Sequence, residues 1–144
     1  MSEPRKIKVA VLGGGMFFDD IIGQTFKDFM RGGIAPGLSS IGMSHLAPQV
    51  ADVDVEVVAV GTRSEKSGTA GRIVDWFARD MPDCNIAACY GETVWQDIIA
   101  DHKPDVMFVA TPDHLHTAPI LDALEAGCDV ITEKPLCLTV DEVD

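Results

Sequence analysis

Residues 6–15 of this 144-residue chain read KIKVAVLGGG, and this stretch decides the fold. Its first seven residues are rich in β-branched and apolar side chains, which is typical of a strand. The three glycines that follow allow a tight turn, and residues 18–31 place Phe26 and Phe29 on one face of a predicted helix. A strand, a glycine-rich turn and a helix in this order are the context in which proteins bind the phosphates of dinucleotides.

The rest of the chain continues as short β-rich runs separated by longer helical stretches. Further strands are predicted at residues 53–60, 85–90, 105–110 and 129–132, and further helices at residues 64–80, 92–101 and 116–126, with Gly127 just after the last helix. Five strands separated by helices predict an α/β fold, a doubly wound parallel sheet between two helical layers. A chain of this length is expected to form one domain, residues 1–144.

Two irregular segments interrupt this plan. Residues 32–49 are rich in Gly, Ser and Pro and form an insertion before the second strand, for which a lid, an oligomer contact and a disordered loop all stay open. Thr139 and Glu142 form a capping-box pattern that predicts the start of a helix close to residue 144. We therefore expect the chain to be truncated near residue 144.

Composition limits the partners. The formal net charge of −12 repels nucleic acid, so any bound phosphate must be held by local groups. No apolar run reaches the roughly 18 residues of a membrane span, and no signal-peptide pattern follows the start of the chain. The four cysteines have irregular spacings and are expected to be free thiols in a reducing compartment. These observations predict a cytoplasmic protein with neither nucleic acid nor membrane as a partner.

The glycine turn supplies the first candidate residues. Gly13 is expected to form the tight turn, and Gly15 is expected to let the backbone approach a pyrophosphate held by the free N–H groups at the helix start, around Met16 and Phe17. The third glycine of the dinucleotide fingerprint is absent, because Phe18 stands in its place. A plain glycine-rich turn without a ligand is the alternative.

The end of the second strand bears on the choice of cofactor. The fingerprint expects an acid there for the ribose 2′-hydroxyl group, but the chain has Thr62, Arg63 and Ser64. Arg63, with a hydroxyl group on either side, can hold a 2′-phosphate through charge-assisted hydrogen bonds. This pattern favours NADP over NAD, and a solvated loop arginine is the alternative.

The carboxyl end of the fourth strand carries a second group of candidates, in the segment TPDHLH at residues 111–116. Pro112 ends strand pairing and turns the chain outward after Thr111. His114 and His116 are expected to contact the cofactor or the helix start. A zinc site is not favoured, because no cysteine or acid completes a known ligand spacing.

Glu133, Lys134 and Pro135 follow the fifth strand and are expected at the same edge of the sheet. A lysine in this place can donate a hydrogen bond to a substrate hydroxyl or carbonyl oxygen. A surface ion pair between Glu133 and Lys134 is the alternative, and it is disfavoured because adjacent strand residues point to opposite faces.

Three segments, VAVLGGGMF, DVMFVATPDHLH and AGCDVITEKPL, together resemble the glucose-fructose oxidoreductase, inositol dehydrogenase and rhizopine-catabolism family, written Gfo/Idh/MocA. The resemblance implies an N-terminal Rossmann domain, with a C-terminal substrate domain that this chain lacks. It also implies that Lys134 assists hydride transfer near the nicotinamide. By the same resemblance, Thr111, Pro112, His116 and Glu133 border the cofactor, and Pro135 completes that motif.

The expected function is therefore an NAD(P)-dependent oxidoreductase domain. It would serve hydride transfer between the nicotinamide and a CH–OH carbon of a sugar, polyol or related substrate, with NADP or NAD as cofactor. This fragment alone is expected to be inactive, and a homo-oligomer would form through the missing domain. A non-catalytic NAD(P)-binding sensor or partner subunit is the alternative, and a domain for another nucleotide is a weaker one.

Overall fold

The computed structural model describes residues 4–16 and 18–143. It contains five parallel strands: β1 (Arg5–Leu12), β2 (Val53–Thr62), β3 (Ala87–Tyr90), β4 (Val106–Val109) and β5 (Asp129–Thr132). Their order in the sheet is β3-β2-β1-β4-β5. The chain first adds β2 and β3 on one side of β1 and then adds β4 and β5 on its other side. This change of strand order confirms the predicted doubly wound sheet.

The helices cover both faces of the sheet. They are α1 (Gly23–Gly32), preceded by a π-helical turn (Phe18–Ile22), α2 (Ala35–Ser40), α3 (Thr69–Asp80), α4 (Val94–His102) and α5 (Thr117–Glu125). Among the described residues there are also four short 3-10 turns, at Ser44–Gln49, Glu65–Ser67, Asp113–Leu115 and Val140–Glu142. One core cluster joins the sheet to α1 and α3, and the other joins it to α4 and α5. The three-layer α/β/α architecture is thus confirmed.

The apolar end of β1 is explained by burial on both faces. Val9 and Val11 belong to the cluster on the α1 and α3 side, whereas Ala10 and Leu12 belong to the cluster on the other side. β2 contains a bulge at Val58, because Val9 pairs with Val57 and Ala10 with Ala59. The bulge changes the alternation in β2, and the sequence accordingly turns continuously apolar there.

Several predicted boundaries shift in the structure. β2 continues to Thr62 and β3 begins only at Ala87, because these two strands pair from Ala59 to Thr62 of β2. The helix predicted at residues 64–80 is divided by Gly68, which has a φ of 63°. The helix stop at Gly127 is confirmed: its φ is 84°, and its N–H donates to the Leu124 carbonyl oxygen at 3.0 Å.

The insertion at residues 32–49 is folded, so its interpretation as a disordered loop is wrong. It forms α2 and the Ser44–Gln49 turn, and neither contains a buried residue. The Met43 N–H donates to the Leu38 carbonyl oxygen at 2.8 Å and holds the turn against α2. The capping box is also confirmed, since the Glu142 carboxylate accepts the Thr139 N–H at 2.9 Å, although only a 3-10 turn follows.

Phe18 takes the place of the expected third glycine without disrupting the packing. Its side chain is buried, and its ring lies 6.4 Å from that of Phe77, centroid to centroid. Space for the ring comes from Gly23, where a Cβ would lie 2.9 Å from a ring carbon of Phe18. Gly23 is therefore the small residue that makes room for the Phe18 ring.

A buried lysine joins α1 to α3. Lys27 is only 2% exposed, and its ammonium group lies 3.4 Å from the centre of the Trp76 ring. It donates to the Trp76 carbonyl oxygen at 2.8 Å and to the Asp80 carboxylate at 2.6 Å. The hydrogen bond and the charge of Lys27 lower the pKa of Asp80 below its ordinary value. The lowered pKa means that folding favours the ionised carboxylate.

No helix among the described residues combines the length and apolar character needed to cross a membrane. All four cysteines are free thiols, as predicted: Cys84, Cys89, Cys128 and Cys137.

We expect Asp80→Asn to lower the free energy of unfolding at pH 7, where wild-type Asp80 is ionised and paired with Lys27. Because the folded pKa is lowered, this contribution is present above the ordinary carboxyl pKa of about 4 and is lost as the pH falls through the folded value. Urea unfolding between pH 7 and pH 3 should show the gap between wild type and variant narrowing in acid. Asp75→Asn, an exposed change on the same helix, is the control, and a pH-independent gap for Asp80→Asn would contradict the assignment.

Candidate functional site

A cavity of about 650 Å³ opens where β1, β2 and β4 end. Its volume lies within the range of small-molecule sites, which is about 300–1,000 Å³. The lining residues come from the glycine turn, the segments after β2, β3 and β4, and the starts of α4 and α5; they include Gly13, Gly14, Gly15, Met16, Thr62, Arg63, Ser64, Glu92, Trp95, Thr111, Pro112, His114 and Leu115. The cavity lies at the carboxyl edge next to the change of strand order, where open α/β sheets bind their ligands.

Gly13 forms the predicted tight turn. Its φ is 92°, and its N–H donates to the Gly61 carbonyl oxygen at 2.9 Å. A Cβ at this residue would collide with the carbonyl oxygen of Ala110, at the end of β4. Gly14 has a separate role that the sequence did not reveal, because a Cβ there would lie 2.5 Å from the Ile73 side chain on α3.

Gly15 leaves the wall of the cavity open. A Cβ at this residue would meet no atom within 4 Å, and the Phe18 N–H closes the turn by donating to the Gly15 carbonyl oxygen at 3.0 Å. Among the described residues, the N–H groups of Gly14 and Gly15 have no hydrogen-bond acceptor. Unpaired backbone donors before a helix bind anions, so the turn fits the pyrophosphate of a dinucleotide. Phe17, the other predicted contact at the helix start, lies outside the described residues.

Arg72 on α3 holds the turn in place. Its guanidinium group donates two hydrogen bonds to the Asp19 carboxylate, at 2.9 and 3.0 Å, and a longer one to the Gly14 carbonyl oxygen, at 3.4 Å. Such bidentate pairing fixes geometry as well as charge. The pair spans 53 residues of sequence and has no motif, so sequence reasoning did not find it.

Thr62, Arg63 and Ser64, the candidates for contact with the cofactor ribose, all line the cavity. The Thr62 hydroxyl oxygen is buried and has no hydrogen-bond partner within the described part of the chain. The Arg63 Nε lies 3.8 Å from a carboxylate oxygen of Glu92, which follows β3. Sequence reasoning missed Glu92 because it looked for an acid only after β2, whereas parallel strands end at the same edge.

The TPDHLH segment divides between the cavity and the protein interior. Thr111, Pro112 and His114 line the cavity, but His116 does not. His116 is fully buried, with Nδ1 2.8 Å from the Pro135 carbonyl oxygen and Nε2 2.8 Å from the Thr111 carbonyl oxygen. A neutral imidazole can donate one of these hydrogen bonds and an imidazolium can donate both. His116 thus links the segments after β4 and β5.

Residues 133–135 lie beyond β5 and do not line the cavity. The Glu133 N–H donates to the Val109 carbonyl oxygen at 3.0 Å, and this bond continues the β4–β5 ladder. Lys134 is exposed, and no ion pair joins it to Glu133 in the part of the chain that the structure describes. The sequence argument against this ion pair assumed that Glu133 and Lys134 are adjacent residues of a strand. That argument does not apply, because β5 ends at Thr132. No cluster of three or more metal-ligating side chains occurs among residues 4–16 and 18–143.

The family is decided by residues 7–144, which match the family model Gfo/Idh/MocA, described as an oxidoreductase family with an NAD-binding Rossmann fold. The chain belongs to this family. The resemblance inferred from the glycine turn and the TPDHLH and EKP segments is confirmed, and so is the expectation of a nicotinamide dinucleotide cofactor.

Individual relatives agree with the family. The chain is 30% identical over 117 residues to an uncharacterized oxidoreductase, ORF334, of Rhizobium meliloti, a match that covers 81% of this chain and 31% of that protein. It is 27% identical over 106 residues to D-xylose 1-dehydrogenase (NADP(+)) 2 of Haloferax volcanii, covering 74% of this chain and 29% of that one. The chain therefore spans about three tenths of the length of these relatives.

The fold is also similar to that of a levoglucosan dehydrogenase solved in complex with NADH and levoglucosan. The TM-score is 0.63 at 23% identity, and the alignment covers 96% of this chain and 30% of that one. At this identity, the likeness establishes the Rossmann fold of the domain.

We expect Gly13→Ala and Gly15→Ala to differ sharply in stability. The positive φ of Gly13 and the collision with Ala110 should lower the free energy of unfolding by about 2 kcal/mol or more. Gly15→Ala meets open space and should change it by less than about 1 kcal/mol. Urea unfolding of both variants measures this difference, and equal losses would show that the turn is not packed as described.

Proposed function

We propose that this domain holds a nicotinamide dinucleotide, NADP or NAD, across its carboxyl-edge cavity and serves hydride transfer from a CH–OH carbon of a sugar or polyol to the nicotinamide, or from the reduced nicotinamide to the corresponding carbonyl carbon. The observation that carries the proposal is the glycine turn: Gly14 and Gly15 line this cavity, and their N–H groups have no acceptor among the described residues. The nicotinamide ring supplies the hydride chemistry when it is bound. The protein's part is to bind, orient and polarise.

Different groups of cavity residues would bind different parts of the cofactor. The turn at Gly13, Gly15 and Met16 would hold the pyrophosphate. Thr62, Arg63 and Ser64 would hold the adenosine ribose, with Arg63 meeting the 2′-phosphate of NADPH. Thr111, Pro112 and His114 would border the other half of the dinucleotide. This arrangement is supported by the positions of all these residues in the cavity wall.

Lys134 is proposed as the catalytic residue, with Glu133 and Pro135 fixing its place. Its ammonium group would donate a hydrogen bond to the oxygen of the reacting carbon and stabilise the charge that develops there. Two contacts support a defined position for this segment: the Glu133 N–H bond to β4 and the Pro135 carbonyl bond to His116. His116 is thus proposed as a positioning residue rather than a cofactor contact.

The substrate class is proposed from the relatives, which include a D-xylose dehydrogenase and a D-glucoside 3-dehydrogenase. They are longer than this chain, so we propose that a second region supplies the substrate pocket. Exposed apolar side chains at Leu121, Leu124 and Ile131 would lie beneath such a region or an oligomer contact. The free thiols agree with a cytoplasmic location.

One observation favours the alternative of a non-catalytic NAD(P)-binding module. Lys134 is exposed and does not line the cavity. A sensor or partner subunit would bind the dinucleotide in the same way without turnover. Turnover measurements on the natural polypeptide that contains this domain separate the two functions.

We expect NADPH or NADH to stabilise this chain. At a hundredfold excess over Kd, a ligand bound only to the folded state adds about 2.7 kcal/mol, and Trp95 in the cavity wall should report binding by fluorescence. Gly15→Val should weaken binding at least tenfold, since its side chain enters the open side of the turn. Gly32→Val, another site where a Cβ meets nothing within 4 Å, is the control. No stabilisation by either cofactor would refute the proposed function.

We expect Lys134→Ala, made in the natural polypeptide that contains this domain, to reduce kcat with D-xylose or levoglucosan about a hundredfold, the size of a lost acid or base contribution. The Kd of NAD(P)H should change less than twofold, because Lys134 lies outside the cavity wall. Lys8→Ala, an exposed lysine of β1, is the control. Unchanged turnover in Lys134→Ala would remove this lysine from the mechanism.

A further inference from the structure

We propose that Glu92 is a specificity-determining residue that discriminates against the 2′-phosphate of NADPH. This inference rests on the proposed binding of a nicotinamide dinucleotide in the carboxyl-edge cavity. It concerns the end of the cavity next to β2 and β3, where Glu92 and Arg63 face each other.

The sheet brings Glu92 to the place where the dinucleotide fingerprint requires an acid. β3 lies parallel beside β2, with Tyr90 paired to Thr62 as the last residues of the ladder. The Gly91 N–H donates to the Thr62 carbonyl oxygen at 3.2 Å and keeps the two chains together beyond that pair. Glu92 therefore leaves the sheet beside Arg63. An acid supplied by the neighbouring strand can take the role that the fingerprint gives to the end of β2.

Both charged groups are available to a ligand. The side chain of Arg63 is 60% exposed and that of Glu92 is 83% exposed, and their closest atoms are 3.8 Å apart. A pair this exposed is weakly held in water, so a bound molecule can separate the two groups. Thr62 lines the same wall, and its buried hydroxyl oxygen has no hydrogen-bond partner among the described residues.

NADH and NADPH would interact differently with Arg63 and Glu92. A ribose 2′-hydroxyl group can donate to the Glu92 carboxylate, which accepts hydrogen bonds. A 2′-phosphate carries nearly two negative charges and cannot donate in this way. It is attracted by Arg63 but must displace Glu92 from that arginine and remain close to the carboxylate. Glu92 thus opposes the contribution of Arg63 to NADPH binding and favours NADH.

The test is a set of binding measurements at low salt. Kd values for NADPH and NADH are compared between wild type, Glu92→Gln, Arg63→Gln and the double variant. Glu92→Gln should tighten NADPH about tenfold and leave NADH unchanged or weaker. In the Arg63→Gln background, Glu92→Gln should increase NADPH affinity less, because there is no arginine to be released from its pair with Glu92. Raising the salt concentration should reduce the gain, since both groups are exposed.

Glu65→Gln is the matched control. It removes the same charge from an exposed glutamate in the neighbouring 3-10 turn, outside the cavity wall, and should leave the ratio of the two Kd values within twofold of wild type. An equal change for both cofactors in Glu92→Gln, or none, would overturn the role of Glu92 while the proposed function stands. Failure of wild type to bind either cofactor would refute the proposed function and this inference together.

Discussion

The carbonyl oxygen of Ala110 occupies the space where any side chain at residue 13 would lie. This close approach brings the turn after β1 against the end of β4, at the point where the strand order reverses. The segment after β1 and the segment after β4 leave the sheet side by side. The cavity opens where they separate, the first toward α1 and the second toward α5. Glycine meets the two requirements at residue 13, a positive φ and no Cβ facing the Ala110 carbonyl group.

Polar contacts between distant segments then hold the site in shape. Arg72 fixes the start of the first helix through Asp19, and His116 joins the chain after β4 to the chain after β5. On the same face as Arg72, Lys27 secures α1 against α3 below the turn. Arg72 and His116 contact the wall through the carbonyl oxygens of Gly14 and Thr111, which leaves the N–H groups of the glycine turn and the exposed charges of Arg63 and Glu92 for a ligand.

Local patterns predicted most of the fold. Strand alternation, the stop at Gly127 and the capping box at Thr139 depend on neighbouring residues, and the structure confirms them. Features set by packing between distant segments escaped prediction, such as the pair of Arg72 with Asp19, 53 residues apart. In the site, too, features set by neighbouring residues could be predicted and features set by distant packing could not. The glycine turn was visible in the sequence, whereas Glu92 was not, because its place depends on how β3 pairs with β2.

The central claim is that the dinucleotide binds at the carboxyl edge, with its pyrophosphate on the glycine turn. Titration of ¹⁵N-labelled protein with NADH, followed by amide NMR spectra, tests it residue by residue. The account predicts that the largest shifts occur at Gly14 and Gly15, with further shifts at Arg63 and Thr111, and that Gly33 and Asp54 at the opposite edge stay unchanged. Shifts concentrated at Gly33 and Asp54, with the glycine turn unaffected, would contradict it.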